Sequence, residues 1–160
     1  MERACSDLSL HHGSIPRAHA ATKLLSELCA SPALRPLAIE LGALGSLLQA
    51  MGSCNRSPHS LELLRAMLGT LRLLLGDAEC RRRIRSYAQV AYGLIRLLIN
   101  HWGSEGLYEQ LAACLLEAAR DQRCGIDVCH LSGEAAFARR SLANRLVKGG
   151  GSVRRRALDQ

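Results

Sequence analysis

An all-α fold, assembled by repeating one helical unit, is what this sequence predicts, and three observations carry that prediction. Of 160 residues, 30 are Leu and 22 are Ala, whereas aromatic residues amount to 3%. Such a mixture favours helix and disfavours a β-sandwich or barrel, which draws on β-branched and aromatic side chains. Apolar residues also recur at helical spacing, most plainly at Leu61, Leu64, Leu68, Leu71 and Leu75. Finally, leucine-rich segments return at offsets of 46 and then 45 residues.

The recurrence is visible in two separate segments. Ala21–Cys29 maps onto Met67–Leu75 and then onto residues 112–119, which places Leu25, Leu71 and Leu116 in one register and Leu28, Leu74 and Ala119 in another. The same offsets carry Gly42-Ala43-Leu44 onto Ala88-Gln89-Val90 and Gly133-Glu134-Ala135, align Met51 with Leu97 and Leu142, and set Arg35 against Arg81. One residue inserted in the second copy pairs Leu47 with Leu94.

Helix punctuation fits this layout. Residues 1–16 are expected to be disordered. Ser14 and Pro16 open a helix that runs to about Ala30, and Ser31-Pro32 opens the next, since proline is tolerated in a first turn. The polar stretch from Gly52 to His59 is a loop, Ser60 is the expected cap of the following helix, and Gly76-Asp77 ends that helix. Further helices are expected near 79–88, 90–101, 105–120, 123–131 and 134–147, with Gly103-Ser104 as a turn. Gly149-Gly150-Gly151-Ser152 has the composition of a linker, so 148–160 is expected to be a flexible basic tail after a repeat domain at 17–147.

A period near 45 lies within the range of armadillo and HEAT arrays. The segment from Arg35 to Met51 resembles the opening of an armadillo repeat: a basic residue, an apolar short helix, Gly42-Ala43-Leu44, then a leucine-rich second helix. The resemblance implies a right-handed solenoid with about two full three-helix repeats and partial repeats on either side. It also implies a non-enzymatic scaffold or adaptor whose third helices line a groove for a peptide or helix. The texture is similar to the armadillo region of inscuteable-type polarity adaptors, which implies cell-polarity or cytoskeletal complexes. Where import-signal carriers of the family set an Asn ladder beside a Trp row, this sequence has Glu27, Leu73 and Ala118. The implied groove is therefore greasy, lined by Leu63, Met67, Thr70, Leu73, Leu74, Glu109, Cys114 and Glu117. A stack of fewer than about three complete repeats leaves apolar surface at its ends, so the chain is expected to self-associate or to belong to a longer solenoid.

Charge adds a second candidate surface. Residues 1–79 carry seven basic and seven acidic side chains, so the net +7 falls entirely after residue 79. Arg81, Arg82, Arg83 and Arg85 form a basic patch suited to an acidic peptide, because guanidinium groups grip carboxylates in pairs. The alternative is a nucleic-acid- or chromatin-associated module using that basic half. The scattered Tyr87, Tyr92 and Trp102 give no aromatic interleaving, which argues against nucleic acid.

No phosphate loop, dinucleotide fingerprint, nucleophile elbow or zincin motif is present, so neither an enzyme nor a cofactor is expected. Cys124, Cys129 and His130 lie far from Cys5, His11 and His12, and no Cys-x-x-Cys occurs, so a metal centre is not expected either. The seven cysteines read as reduced, mostly buried small hydrophobes. With no apolar leader and no run long enough to span a bilayer, the sequence reads as cytoplasmic, with a nuclear setting also open to it.

Overall fold

The computed structural model describes residues 1–11, 13–84, 87–101, 104 and 106–119. These form eight α-helices: α1 (Glu2–Leu10), α2 (Ile15–Ala30), α3 (Arg35–Glu40), α4 (Ala43–Gly52), α5 (Pro58–Gly76), α6 (Ala78–Arg83), α7 (Tyr87–Asn100) and α8 (Leu107–Ala119), with one 3-10 turn at Pro32–Leu34. Among the described residues there is no strand, and no helix is long and apolar enough to cross a membrane. Arg85, the helices expected at 123–131 and 134–147, and the tail 148–160 lie outside the described residues.

Most boundaries follow from local chemistry. Ser57 caps α5 through its side chain, accepting from the Ser60 N–H, and Pro58 fills the first helical position, where no intrahelical donor is needed. Ser60, expected to be the cap, is instead a buried residue within the helix. Asp77 ends α5 and caps α6, accepting from the N–H groups of Glu79 and Cys80 at 2.9 and 3.0 Å. Between α3 and α4 the chain turns at Gly42, whose φ of +79° is open to glycine and strained for any L side chain.

The N-terminal segment departs from expectation. Residues 2–10, expected to be disordered, form α1 and pack against α2 and α4. The helix is short and polar overall, but Ala4, Cys5 and Leu8 fall on one face and are buried. Three apolar residues at that spacing suffice once two other helices supply the opposite wall.

Packing proceeds in rows. Helix α2 lies against α5 and α5 against α8; α1 lies against α4 and α4 against α7; α3 lies against α6. The α4–α7 approach is close, because a Cβ added at Gly93 would sit 3.1 Å from Leu48 Cδ2. Burial in the first row recurs residue by residue. An offset of 46 carries the buried Ala18, Thr22, Leu25 and Cys29 of α2 onto Leu64, Leu68, Leu71 and Leu75 of α5. A further 43 carries those onto Leu107, Leu111, Cys114 and Ala118 of α8, all buried. In the second row Ala43, Leu47 and Ala50 of α4 correspond to Val90, Leu94 and Leu97 of α7 at an offset of 47, again all buried.

The third copy is therefore two residues out from the register expected of it. Leu116, aligned by sequence with Leu25 and Leu71, is 70% exposed. Two residues along an α-helix turn a side chain through about 200°, so a slip of that size moves it from the core face to the outside. The slip follows from where α8 begins. Its buried stripe starts at its first residue, Leu107, directly after Gly106 at φ +74°.

This register has a direct energetic consequence. Leu71→Ala is expected to cost about 2–5 kcal/mol, the range for an emptied leucine site in a core. Leu116→Ala should cost less than about 0.5 kcal/mol, as for exposed positions. Urea denaturation of the two variants checks this; equal losses would restore the sequence-based register.

Candidate interaction surface

Of the eight residues expected to line a groove, five face inward. Leu63, Met67, Thr70, Leu74 and Cys114 are buried within the helix layers, Leu73 and Glu117 are half-buried, and Glu109 is exposed. The expectation of a greasy groove is corrected by the physics that suggested it. Apolar side chains at helical spacing are withdrawn from water, so they form the seam between helices and leave other residues on the surface.

What the α2–α5–α8 row presents to solvent is small and charged. On α2 the exposed residues include His19, Lys23 and Glu27; on α5 they are Glu62, Arg65, Ala66, Gly69, Arg72 and the terminal Gly76 beyond the first turn; on α8 they include Tyr108, Glu109 and Leu116. A cleft of about 220 Å³ opens between α2 and α5, lined by His19, Thr22, Lys23, Ser26, Glu27 and Ala66. At Gly69 an added Cβ would meet nothing within 4 Å, so this stretch of α5 is a low floor with Arg65 and Arg72 on either side. Lys23 and Arg72 make no ion pair among the described residues. The signal for this surface was present in the sequence. Ala66 and Gly69 occupy the α5 positions between the apolar ones, where the pattern predicts solvent.

The basic run is engaged within the chain. Arg81 Nη1 donates to the carbonyls of Leu75 and Gly76 at 2.7 and 2.9 Å, closing the end of α5. Arg82 lies 3.6 Å from Glu79. Arg83 pairs with Glu79 at 2.9 Å and reaches Glu40 of α3, beside a cleft of about 580 Å³ lined also by Ile39, Leu44 and Ile84. These contacts make the run a junction between α3, α5 and α6.

Arg35, aligned with Arg81 by sequence, makes the matching contacts one unit earlier. Its Nε donates to the Cys29 carbonyl at 2.8 Å and its Nη2 to that of Ala30 at 3.4 Å, closing the end of α2. Helix ends leave such carbonyls without intrahelical donors, and a guanidinium is suited to both. Arg35 also stands 3.7 Å from Asp77. The N–H of Cys80 first, then that of Glu79, and the charge of Arg35 hold the Asp77 carboxyl below its ordinary value, against the opposing effect of burial.

The thiols have the opposite bias. Burial, then the neighbouring Asp77, push Cys80 up to about 12, and burial pushes Cys114 up to about 11. Both are neutral packing groups at physiological pH. The Cys114 thiol donates across the row to the Leu68 carbonyl at 3.6 Å.

No protein-family model matches the chain, and no curated protein or solved structure matches it.

Asp77 provides the test of the junction. Asp77→Ala is expected to cost about 1–2 kcal/mol through the lost cap, and Asp77→Asn less, since the amide oxygen still accepts. Because the folded carboxyl titrates below 3.8, its stabilisation is present at neutral pH and is lost as the pH falls through that range. Denaturation curves should show the gap between wild type and Asp77→Ala closing in acid. A gap constant down to pH values well below 3.8 would contradict the assignment.

Proposed function

We propose that the chain is an armadillo-like helical solenoid that serves as a non-enzymatic protein-interaction scaffold, taking a partner helix or peptide along the α2–α5–α8 row. The observation that carries this reading is the recurrence of one buried stripe in three helices of one row, at offsets of 46 and 43, together with matching arginine caps on the ends of α2 and α5. A unit that buries its stripe only against neighbours stacks in sequence, and stacking leaves one long face per row open to a ligand. Three-helix grouping follows naturally, with α3–α4–α5 and α6–α7–α8 as successive units and α1–α2 as the end of an earlier one.

The mode of recognition follows from the exposed residues. Alanine and glycine on the α5 floor let a backbone or helix approach closely. Lys23 and Arg72 are placed to meet carboxylates on such a partner, and Leu73 and Leu116 supply apolar contact. This is groove recognition of a helix or extended segment with acidic flanks. The basic run is a poorer docking patch, since Arg81 and Arg83 would first have to leave the contacts described above.

The experiment is affinity capture by the full chain, comparing Gly69→Gln with Gln49→Glu on the exposed side of α4. Replacing a mid-helix glycine that has open space around it should raise stability by about 0.5–1 kcal/mol, so a loss of binding cannot be ascribed to unfolding. Proteins captured by the wild type should be lost with Gly69→Gln and kept with Gln49→Glu. An unchanged set with Gly69→Gln would overturn the assignment of this face.

A further inference from the structure

We propose that His101 is an acid-operated latch between the α4–α5 connection and the end of α7. Residues 53–57 join α4 to α5, and two side chains tie this connection to the α7 terminus. Arg56 donates from Nε and Nη2 to the Asn100 carbonyl at 2.9 and 2.7 Å. The adjacent His101 is 5% exposed, and its ring hydrogen-bonds the Cys54 backbone. Its Nδ1 is buried with no hydrogen-bond partner. The His101 backbone N–H continues the α7 ladder, donating to the Leu97 carbonyl at 2.9 Å, so the residue is held at the seam by the helix itself.

A neutral ring fits this place and an imidazolium does not. A proton on Nδ1 would be a buried charge with nothing to accept from it, set beside the fixed charge of Arg56. Arg56 makes no ion pair among the described residues. The other titratable group of the connection, the Cys54 thiol, is pushed up by burial and stays neutral. The exposed ionisable residues His59 and Glu62 of α5, Arg96 of α7 itself, and Tyr108 and Glu109 of α8 offer the ring no buried counter-charge. Burial and then Arg56 hold the ring below its ordinary 6.5, opposed by the Cys54 hydrogen bond.

The sign follows from linkage. The open form takes up the proton at 6.5 and the closed form only below that, so acidification favours opening once the pH drops under 6.5. Each further pH unit shifts the balance by up to about tenfold until the closed form also protonates. Release separates residues 53–57 from the end of α7 while the buried row α2–α5–α8 stays packed.

The test uses the full chain. The His101 ring is titrated by NMR, and amide hydrogen exchange of residues 53–57 is followed from pH 7.5 to pH 5, corrected for the intrinsic pH dependence of exchange. The expected results are a His101 midpoint below 6.5, exchange at 53–57 accelerating by up to about tenfold per pH unit under it, and no such acceleration in His101→Gln. Arg56→Met should raise the His101 midpoint, and this second reading stands even where His101→Gln fails to fold. A midpoint at or above 6.5, an acid response that survives in His101→Gln, or a midpoint unmoved by Arg56→Met would each overturn the proposal.

Discussion

Helix α5 is buried from two sides at once, and the rest of the described structure depends on that. It meets α2 on one flank and α8 on the other, and Leu63, Leu64, Met67, Leu68, Leu71, Leu74 and Leu75 are all withdrawn from water. Neither flanking helix has comparable apolar length of its own. The hydrophobic gain that orders α2 and α8 is supplied by a neighbour, which makes order in this chain a property of adjacency between helices.

Adjacency needs the helix ends to be closed as well as the faces. Arg35 and Arg81 each reach back to the final carbonyls of the helix before them. Asp77 faces both ways, capping α6 while standing beside Arg35. Exposed ion pairs such as Arg82 with Glu79 contribute little to stability, whereas hydrogen bonds to otherwise unpaired carbonyls remove a real penalty. The arginines in this region thus divide by geometry, since Arg81 closes a helix and Arg82 lies at the solvent edge.

Much of the fold was legible in the sequence. Composition and spacing located α2, α4, α5, α7 and α8 to within a few residues, and the pairing of Arg35 with Arg81 and of Leu47 with Leu94 holds in the structure at the level of contacts and burial. Two things were not legible. The slip of two residues in α8 follows from where the chain turns at Gly106, and leucine-rich helices align with one another at several offsets almost equally well. Helix α1 is only weakly signalled, because its apolar face is Ala4, Cys5 and Leu8 alone and its order depends on the wall supplied by α2 and α4. The surface is hard to read from the sequence for a related reason. A leucine-rich helix suggests a greasy groove, yet the periodicity that predicts the helices also turns such residues inward. The small and charged positions between them were the better guide.

Gly93 sets how near two helices of the second row can come. With no side chain there, Leu48 of α4 lies close against the α7 backbone, beside the buried Leu47 and Leu94. In the α2–α5–α8 row the buried seam mixes large and small side chains, with Leu64, Leu68, Leu71 and Leu75 of α5 set in register with Ala18, Thr22, Leu25 and Cys29 of α2. A single methyl group introduced at position 93 would require the end of Leu48 to give way by a few tenths of an ångström. Tolerance at this position is thus set by the freedom of one leucine side chain at the α4–α7 contact, and by no residue of α5.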